Sequence, residues 1–215
     1  MAFLNPEPQT FTGGCMCSSI RYTISVPALP SRSLIPRALP TPLDSQGTNK
    51  VDTRFPLVFI DHCQDCRRAC GALLQCWFIC PLSWVKFELR PQDGTQEPQS
   101  YPASEIVAKP IKSITDTTHL GYYNSSPKGH RCFCKRCGTP FSWFSTQEKP
   151  PGWEREDTVD IAVGSFDQES LNRVRPDRQG WWEHGTEWIK NLVSKGDDVL
   201  IRHPDGRLSQ EVGRR

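Results

Sequence analysis

Cys134 and Cys137 are separated by two residues and followed at once by Gly138, and near the other end of the chain Cys15 and Cys17 are separated by one. Cys-x-x-Cys-Gly is the knuckle of a structural zinc site: the glycine permits a tight turn, backbone N–H groups face the thiolates, and both sulfurs converge on one ion. Two thiolates leave tetrahedral zinc two ligands short. Cys15 and Cys17 point to one face of an extended segment, because side chains alternate with period two, and they can complete a four-cysteine set. Such a clamp closes a loop of more than a hundred residues, and the binding energy of the metal becomes folding energy.

A second cluster, Asp61-His62-Cys63-Gln64-Asp65-Cys66, follows a strand-like segment. Cys63 and Cys66 can grip one ion, and Asp61 or His62 can supply a third ligand, leaving the fourth position to water or substrate. Three protein ligands with one open position is the arrangement of a catalytic zinc. Proton transfer at such a site needs a base, and His62, Asp65 and His130 lie nearest to the cysteine motifs in the sequence. Arg67 and Arg68 can meet a substrate carboxylate or simply be solvated. Cys70, Cys76, Cys80 and Cys132 read as small buried hydrophobes. Trp77, Phe78, Trp84, Trp143, Phe144, Trp181 and Trp182 read as core, with some available to wall a pocket.

The elements that must position these residues are short strands. Ser19 to Val26 alternates apolar and polar residues and ends at Pro27. Residues 27–50 hold several prolines and no face to bury, which predicts an insertion or surface loop whose shortening leaves the fold intact. Thr53 to Ile60 reads as a strand, with Pro56 arguing for an edge or a bulge. Arg67 to Cys70 predicts a helical turn stopped by Gly71, and Ala72 to Ile79, Val85 to Leu89, Phe141 to Phe144 and Thr158 to Gly164 predict further strands. Ser104 to Asp116 reads as a weaker strand broken at Pro110. Trp188, Ile189, Leu192 and Val193 have the spacing of one short amphipathic helix. Together these predict a mainly-β fold with little helix. A chain of 215 residues is long enough to bury a core, so metal is an addition to that core.

The charge balance, 26 basic against 24 acidic residues without like-charged runs, gives no nucleic-acid footprint. The N-terminus has no signal-peptide pattern, and the longest apolar run stops at Pro81. The expectation is a soluble cytoplasmic protein with reduced thiols, no membrane partner and no nucleic-acid partner, acting on a small molecule. Oligomeric state is left open.

Four ordered motifs also carry a resemblance. They are Gly13-Gly14-Cys15-Met16-Cys17; His62-Cys63-Gln64-Asp65-Cys66-Arg67 with Gly71; Arg131-Cys132-Phe133-Cys134-Lys135-Arg136-Cys137-Gly138; and Val163-Gly164-Ser165-Phe166-Asp167. In this order they resemble the glutathione-dependent formaldehyde-activating (GFA) family, also called the CENP-V/GFA domain. The last motif lacks the family's spacer between Val and Gly. The resemblance covers residues 11–190, with 27–50 as a Pro-rich insertion and 191–215 as a C-terminal extension. It implies an Mss4-like zinc-containing β fold with two zinc sites. One ion is structural, on Cys15, Cys17, Cys134 and Cys137, and one is catalytic, on Asp61, Cys63 and Cys66.

At the second site the family has a third cysteine where this chain has Asp61, a harder oxygen ligand that makes the site less thiolate-rich; Cys70 could also substitute. The implied activity is carbon–sulfur lyase chemistry on a thiol adduct, typically of glutathione as a possible co-substrate, or on an activated carbonyl; by their proximity to the second cluster, His62 and Asp65 are the expected catalytic residues. Two other readings stand beside it. One is a non-catalytic, zinc-stabilised binding module; the other is a metabolite-tailoring enzyme that uses zinc without glutathione.

Overall fold

The computed structural model describes residues 5–36, 38–42, 48–94, 97–149, 151, 156–176 and 178–195. In chain order its strands are β1 (Gln9–Gly14), β2 (Ile20–Val26), β3 (Thr41–Pro42), β4 (Lys50–Val51), β5 (Leu57–Asp61), β6 (Gln75–Pro81) and β7 (Val85–Leu89). They continue with β8 (Gln99–Pro102), β9 (Leu120–Ser126), β10 (Gly129–Cys134), β11 (Pro140–Ser145), β12 (Thr158–Ala162) and β13 (Arg178–Gly180). The helices are short: α1 (Gln64–Cys70), α2 (Ala103–Val107), α3 (Lys112–Thr117), α4 (Gln168–Asn172) and α5 (Glu187–Lys195). The fold is mainly β, with a four-stranded sheet in the order β1-β2-β7-β8 and a seven-stranded sheet in the order β13-β5-β6-β12-β11-β10-β9.

The two sheets share one core. β2 buries Ile20, Tyr22, Ile24 and Val26, and β7 buries Val85, Phe87 and Leu89, each by strict alternation on a half-buried strand. These meet Phe78, Phe141, Val159 and Ile161 of the larger sheet. Aromatic pairs bridge the sheets: Phe11 lies 5.4 Å from Phe78 and Phe87 lies 5.6 Å from Phe141, ring centre to ring centre.

Several local expectations are corrected. Residues 104–116, expected as a strand, are two helices, because Ala103, Ile106 and Val107 are buried at i, i+3 and i+4, a helical period that the β-branched residues disguised. Pro56 lies just ahead of β5, so β5 keeps its backbone donors and pairs on both sides, with β6 and β13. β1, β9, β10 and β13 go beyond the predicted strands. β10 buries nearly every residue, including His130 and Arg131, so no alternation marks it.

The 27–50 segment is anchored at its start. Arg32 is buried, and its guanidinium donates to the carbonyls of Pro27, Asn5 and Glu7; Ile35 is buried as well. Thr41–Pro42 pairs with Lys50–Val51 as a small ribbon, and residues 43–47 lie outside the described residues. Of the expected C-terminal extension, α5 runs to Lys195 and residues 196–215 lie outside the described residues.

Candidate metal centres

The first centre is made by two turns, one from each sheet. Between β1 and β2, Cys15 receives the Ser18 N–H on its carbonyl at 2.9 Å and gives its own N–H to the Ile20 carbonyl at 2.9 Å, and Ser18 takes a positive φ. Between β10 and β11, the Gly138 N–H donates to the Cys134 carbonyl at 2.8 Å. Gly138 has φ +76°, the left-handed conformation that makes glycine the fitting residue there. The Met16 N–H donates to the Thr139 hydroxyl at 3.2 Å and joins the two turns.

This brings Cys15, Cys17, Cys134 and Cys137 together with all ligand atoms within 4.8 Å of one another. The Cys15–Cys17 and Cys17–Cys134 sulfurs are 3.6 and 3.7 Å apart. Four sulfurs placed tetrahedrally about zinc at the usual bond length are separated by roughly 3.8 Å, so the spacing fits the ion. The thiols differ among themselves. Burial raises Cys15, and burial pushes Cys134 up to about 12. Burial also opposes ionisation at Cys137, but hydrogen bonds from Thr139 and the Cys17 backbone outweigh it and bring that thiol down to about 6. Cys17 is likewise lowered, burial being overcome by its hydrogen bonds to Ser19.

The second centre lies where β5 passes into α1. Asp61 is the last residue of β5, Cys63 caps α1, and Cys66 sits inside it; their ligand atoms also lie within 4.8 Å of one another. The spacing therefore selects Asp61 as the third member. His62 turns elsewhere, and the Cys70 thiol donates to the Arg67 carbonyl at 3.5 Å.

Asp61 is 2% exposed and fully engaged: Oδ1 accepts the Cys63 N–H and Oδ2 accepts the Trp77 indole N–H, each at 2.8 Å. A carboxylate oxygen has two lone pairs, so each keeps one for a metal. Arg131 Nη2 donates to Cys66 Sγ at 3.2 Å, and its guanidinium lies 5.9 Å from the Trp77 ring centre. Arg131 is on β10, four strand positions from β5, which on a flat sheet is roughly 19 Å. The pairing register puts Arg131 on the same sheet face as Trp77, and its long side chain crosses that face to α1, which packs on β6. Burial raises the Cys66 thiol, and its hydrogen bond with Asp61 adds to this while Arg131 opposes it.

The residues expected to move protons meet different surroundings. Both nitrogens of His130 are taken, by Asn124 at 2.8 Å and the Thr146 hydroxyl at 3.1 Å. Asp65 is exposed in the first turn of α1. His62 is buried, pairs Nε2 with Gln179 at 2.9 Å and meets the Trp182 ring edge-on.

The Val163–Asp167 motif is part of the frame. Ser165 shares a 2.7 Å hydrogen bond with Tyr22, and Asp167 pairs with Arg21 and accepts the Thr12 hydroxyl at 2.6 Å. The sequence reading missed Arg131 and Trp77 as partners of the second centre, since no alternation marks the strand that carries Arg131 and nothing distinguished Trp77 from other core aromatics.

Comparison of the chain with models of known protein families gives no match, and comparison with curated proteins gives none. The fold and the two clusters describe a mainly-β protein that could hold metal ions at two cysteine-containing centres. No helix among the described residues is long and apolar enough to cross a membrane.

Proposed function

We propose that the protein is a zinc-dependent enzyme with carbon–sulfur lyase-like activity, acting on a thiol adduct such as a glutathione adduct, or on an activated carbonyl of a small molecule. The observation that carries this reading is the convergence of Asp61, Cys63 and Cys66, three ligands rather than four, at a strand end apart from the cysteine quartet. Zinc held there supplies Lewis-acid chemistry, lowering the pKa of a bound thiol or polarising a carbonyl. The chain's own residues set its strength. Asp61 as carboxylate and Cys63 and Cys66 as thiolates would bring three negative charges, which the ion and Arg131 would balance. Trp77 and the Cys63 N–H fix the carboxylate in place. Proton transfer falls to Asp65, which is open to solvent, or to His62, and comparing Asp65→Asn with His62→Gln separates them.

The resemblance to the GFA family supports this assignment, with Asp61 in place of a cysteine as the difference that tunes the site. The test is zinc per chain together with turnover on a panel of aldehydes and glutathione adducts. Cys66→Ala should stay folded, lose about one of about two zinc ions, and lose turnover. Unchanged turnover in Cys66→Ala overturns the reading. Asp61→Cys should alter both metal affinity and turnover, because sulfur replaces oxygen at the ion.

One observation favours a second reading, a non-catalytic zinc-stabilised binding module. Asp61 and Cys66 already have protein donors in Cys63, Trp77 and Arg131, so the triad could serve as a structural knot. Full folding with only one zinc per wild-type chain, and no turnover on the panel, would establish it.

A further inference from the structure

The two large sheets end in four edge strands, β1 and β8 on the smaller sheet and β13 and β9 on the larger. An edge strand presents a row of N–H and C=O groups that another chain can pair with, and proteins blunt such rows by covering them, shortening them or placing proline or charge on them. Three of these edges are blunted. β1 is covered by α4 and the residue before it: Ser170 Oγ accepts the Thr12 N–H at 2.8 Å, the Thr12 carbonyl accepts the Asp167 N–H at 3.0 Å, and Arg173 donates to the Thr10 carbonyl at 2.7 Å. β8 has four residues and ends in Pro102, which has no N–H to offer, and β13 has three residues.

β9 is built differently. It runs seven residues, Leu120–Ser126, with no charged side chain and no proline. It pairs with β10 on one side, and among the described residues the backbone of residues 121–126 makes no hydrogen bond on the other. Residues 123–126 are exposed. Tyr123, 42% exposed, leans on Phe133 with the ring centres 6.0 Å apart, so an aromatic ring is held beside the open edge for a cross-strand neighbour.

Charge at the two ends decides what can lie there. At the start of β9 the Lys135 N–H donates to the His119 carbonyl at 2.7 Å, which brings Lys135 and Arg136 of the cysteine knuckle beside it. Burial first, then the charges of Arg136 and Lys135, lower the His119 imidazole. Asp116 at the end of α3 is an acidic residue close by in the chain. At the other end Lys128 stands exposed in the turn to β10. Among the described residues Lys128, Lys135 and Arg136 form no salt bridge. A second copy of β9 laid antiparallel would set Lys128 of each copy toward the Lys135 and Arg136 end of the other, which charge opposes. An extended peptide with acidic ends meets attraction at both.

We propose that the outer edge of β9 binds an extended peptide as an added strand, with uncharged β-forming residues opposite Tyr123 and carboxylates toward Lys128 at one end and Lys135 and Arg136 at the other. At about 3.4 Å per residue the two ends of β9 are roughly 20 Å apart, so the peptide's acidic groups are separated by about five to seven residues. The main chain supplies the hydrogen bonds, and the acidic ends supply the selection. This binding is independent of any turnover at the triad.

The test uses the zinc-loaded full chain. The probe is a peptide of alternating threonine and valine with two glutamates at each end. One control carries lysines in place of the glutamates, and another carries two adjacent prolines at its centre, so that whichever residue faces β9 has no N–H. Binding is read from amide shifts. The glutamate peptide should saturate with a dissociation constant of about 100 μM, and its shifts should centre on residues 120–126. The lysine peptide should bind at least about tenfold weaker, and the proline peptide should not saturate up to about 1 mM. Lys128→Glu should weaken the glutamate peptide about three- to tenfold, with zinc content showing that the variant is folded. The proposal is overturned if the glutamate peptide gives no saturable shift up to about 1 mM, if the lysine or proline peptide matches it, or if the shifts fall on another edge. It is equally overturned if the chain self-associates with the β9 amides protected, since a second copy is then the occupant, or if an oligothymidylate of like length binds there more tightly than the glutamate peptide. The peptide comparison on the wild-type chain decides the matter even where the variant does not fold.

Discussion

The cysteine quartet and the Asp61 triad both stand at strand ends, yet they are held in opposite ways. The quartet gathers four sulfurs whose contacts are mainly with one another, with Thr139 and Ser19, and with turn backbone, and it joins a turn of the small sheet to a turn of the large one. Without an ion, the two turns are joined there by the Met16–Thr139 hydrogen bond and by the packing of Cys15 and Cys134 into the core. Each member of the triad sits in a frame built by other residues: Trp77 from β6 holds Asp61, Arg131 from β10 holds Cys66, and α1 carries Cys63 and Cys66 in register. A centre that depends on its ion for cohesion acts as a clamp. A centre whose ligands are positioned beforehand can spend metal affinity on chemistry instead.

The largest effect expected from this contrast is at the quartet. Cys137→Ser should lose one zinc and fail to accumulate as folded protein, because a structural zinc contributes about 10–16 kcal/mol of apparent binding energy to folding. Cys66→Ala should lose one zinc and keep its cooperative melting transition. Graded chelation of the wild type gives the same contrast without mutation. The triad's ion should leave first with the near-ultraviolet signal of the buried Trp77 changing, and unfolding should accompany only the second loss. Simultaneous release of both ions with unfolding would erase the distinction.

The frame around the triad is tested by Trp77→Phe. The change keeps the aromatic bulk but removes the indole N–H, leaving Asp61 Oδ2 without its protein donor. Metal affinity at the triad should drop about 10- to 100-fold, the usual effect of losing an outer hydrogen bond to a ligand. Stability should fall by about 1.5–3 kcal/mol in the metal-free form. The quartet's zinc should remain, as read from metal content after mild chelation. Loss of both ions in Trp77→Phe would mean that the two centres are not independent.

The same contrast explains what was legible in the sequence. Both candidate ligand sets could be read because holding a metal favours short spacings along the chain, and Cys15-x-Cys17, Cys134-x-x-Cys137 and Asp61-x-Cys63-x-x-Cys66 all display them. β2 and β7 were equally plain, being half-buried with clean alternation. The partners of the triad were not legible, because Trp77 comes beside Asp61 only through the β5–β6 pairing and Arg131 reaches Cys66 from β10, properties of strand order and register rather than of any local pattern. The helices at 103–117 were hidden by Ile and Val, and the fully buried β10 carries no period to read. Arg32 looked like part of a loose polar loop, yet its three carbonyl partners fasten that segment to the chain start.

The smallest predicted effect measures how much of the sheet-to-sheet clamp is independent of metal. Arg21 on β2 makes a two-pronged pair with Asp167, which also accepts the Thr12 hydroxyl, close to the quartet. Asp167→Asn keeps the shape and removes the charge. Both side chains are more than a third exposed, at 35% and 38%, so solvent screening limits the loss to about 0.2–1 kcal/mol. The sign of the pH dependence follows from the hydrogen bonds of Arg21, which hold the Asp167 carboxyl below its ordinary value. A carboxyl lowered on folding adds stability that is present above its unfolded pKa, about 3.9, and is lost as pH falls through the folded value. The melting-temperature gap between wild type and Asp167→Asn should therefore be constant from about pH 5 to 7 and close below about pH 4. It should also narrow as salt is raised toward about 1 M, where screening acts within about 3 Å. A gap that persists unchanged at low pH and high salt would show that Asp167 acts through the Thr12 hydrogen bond and packing rather than through charge.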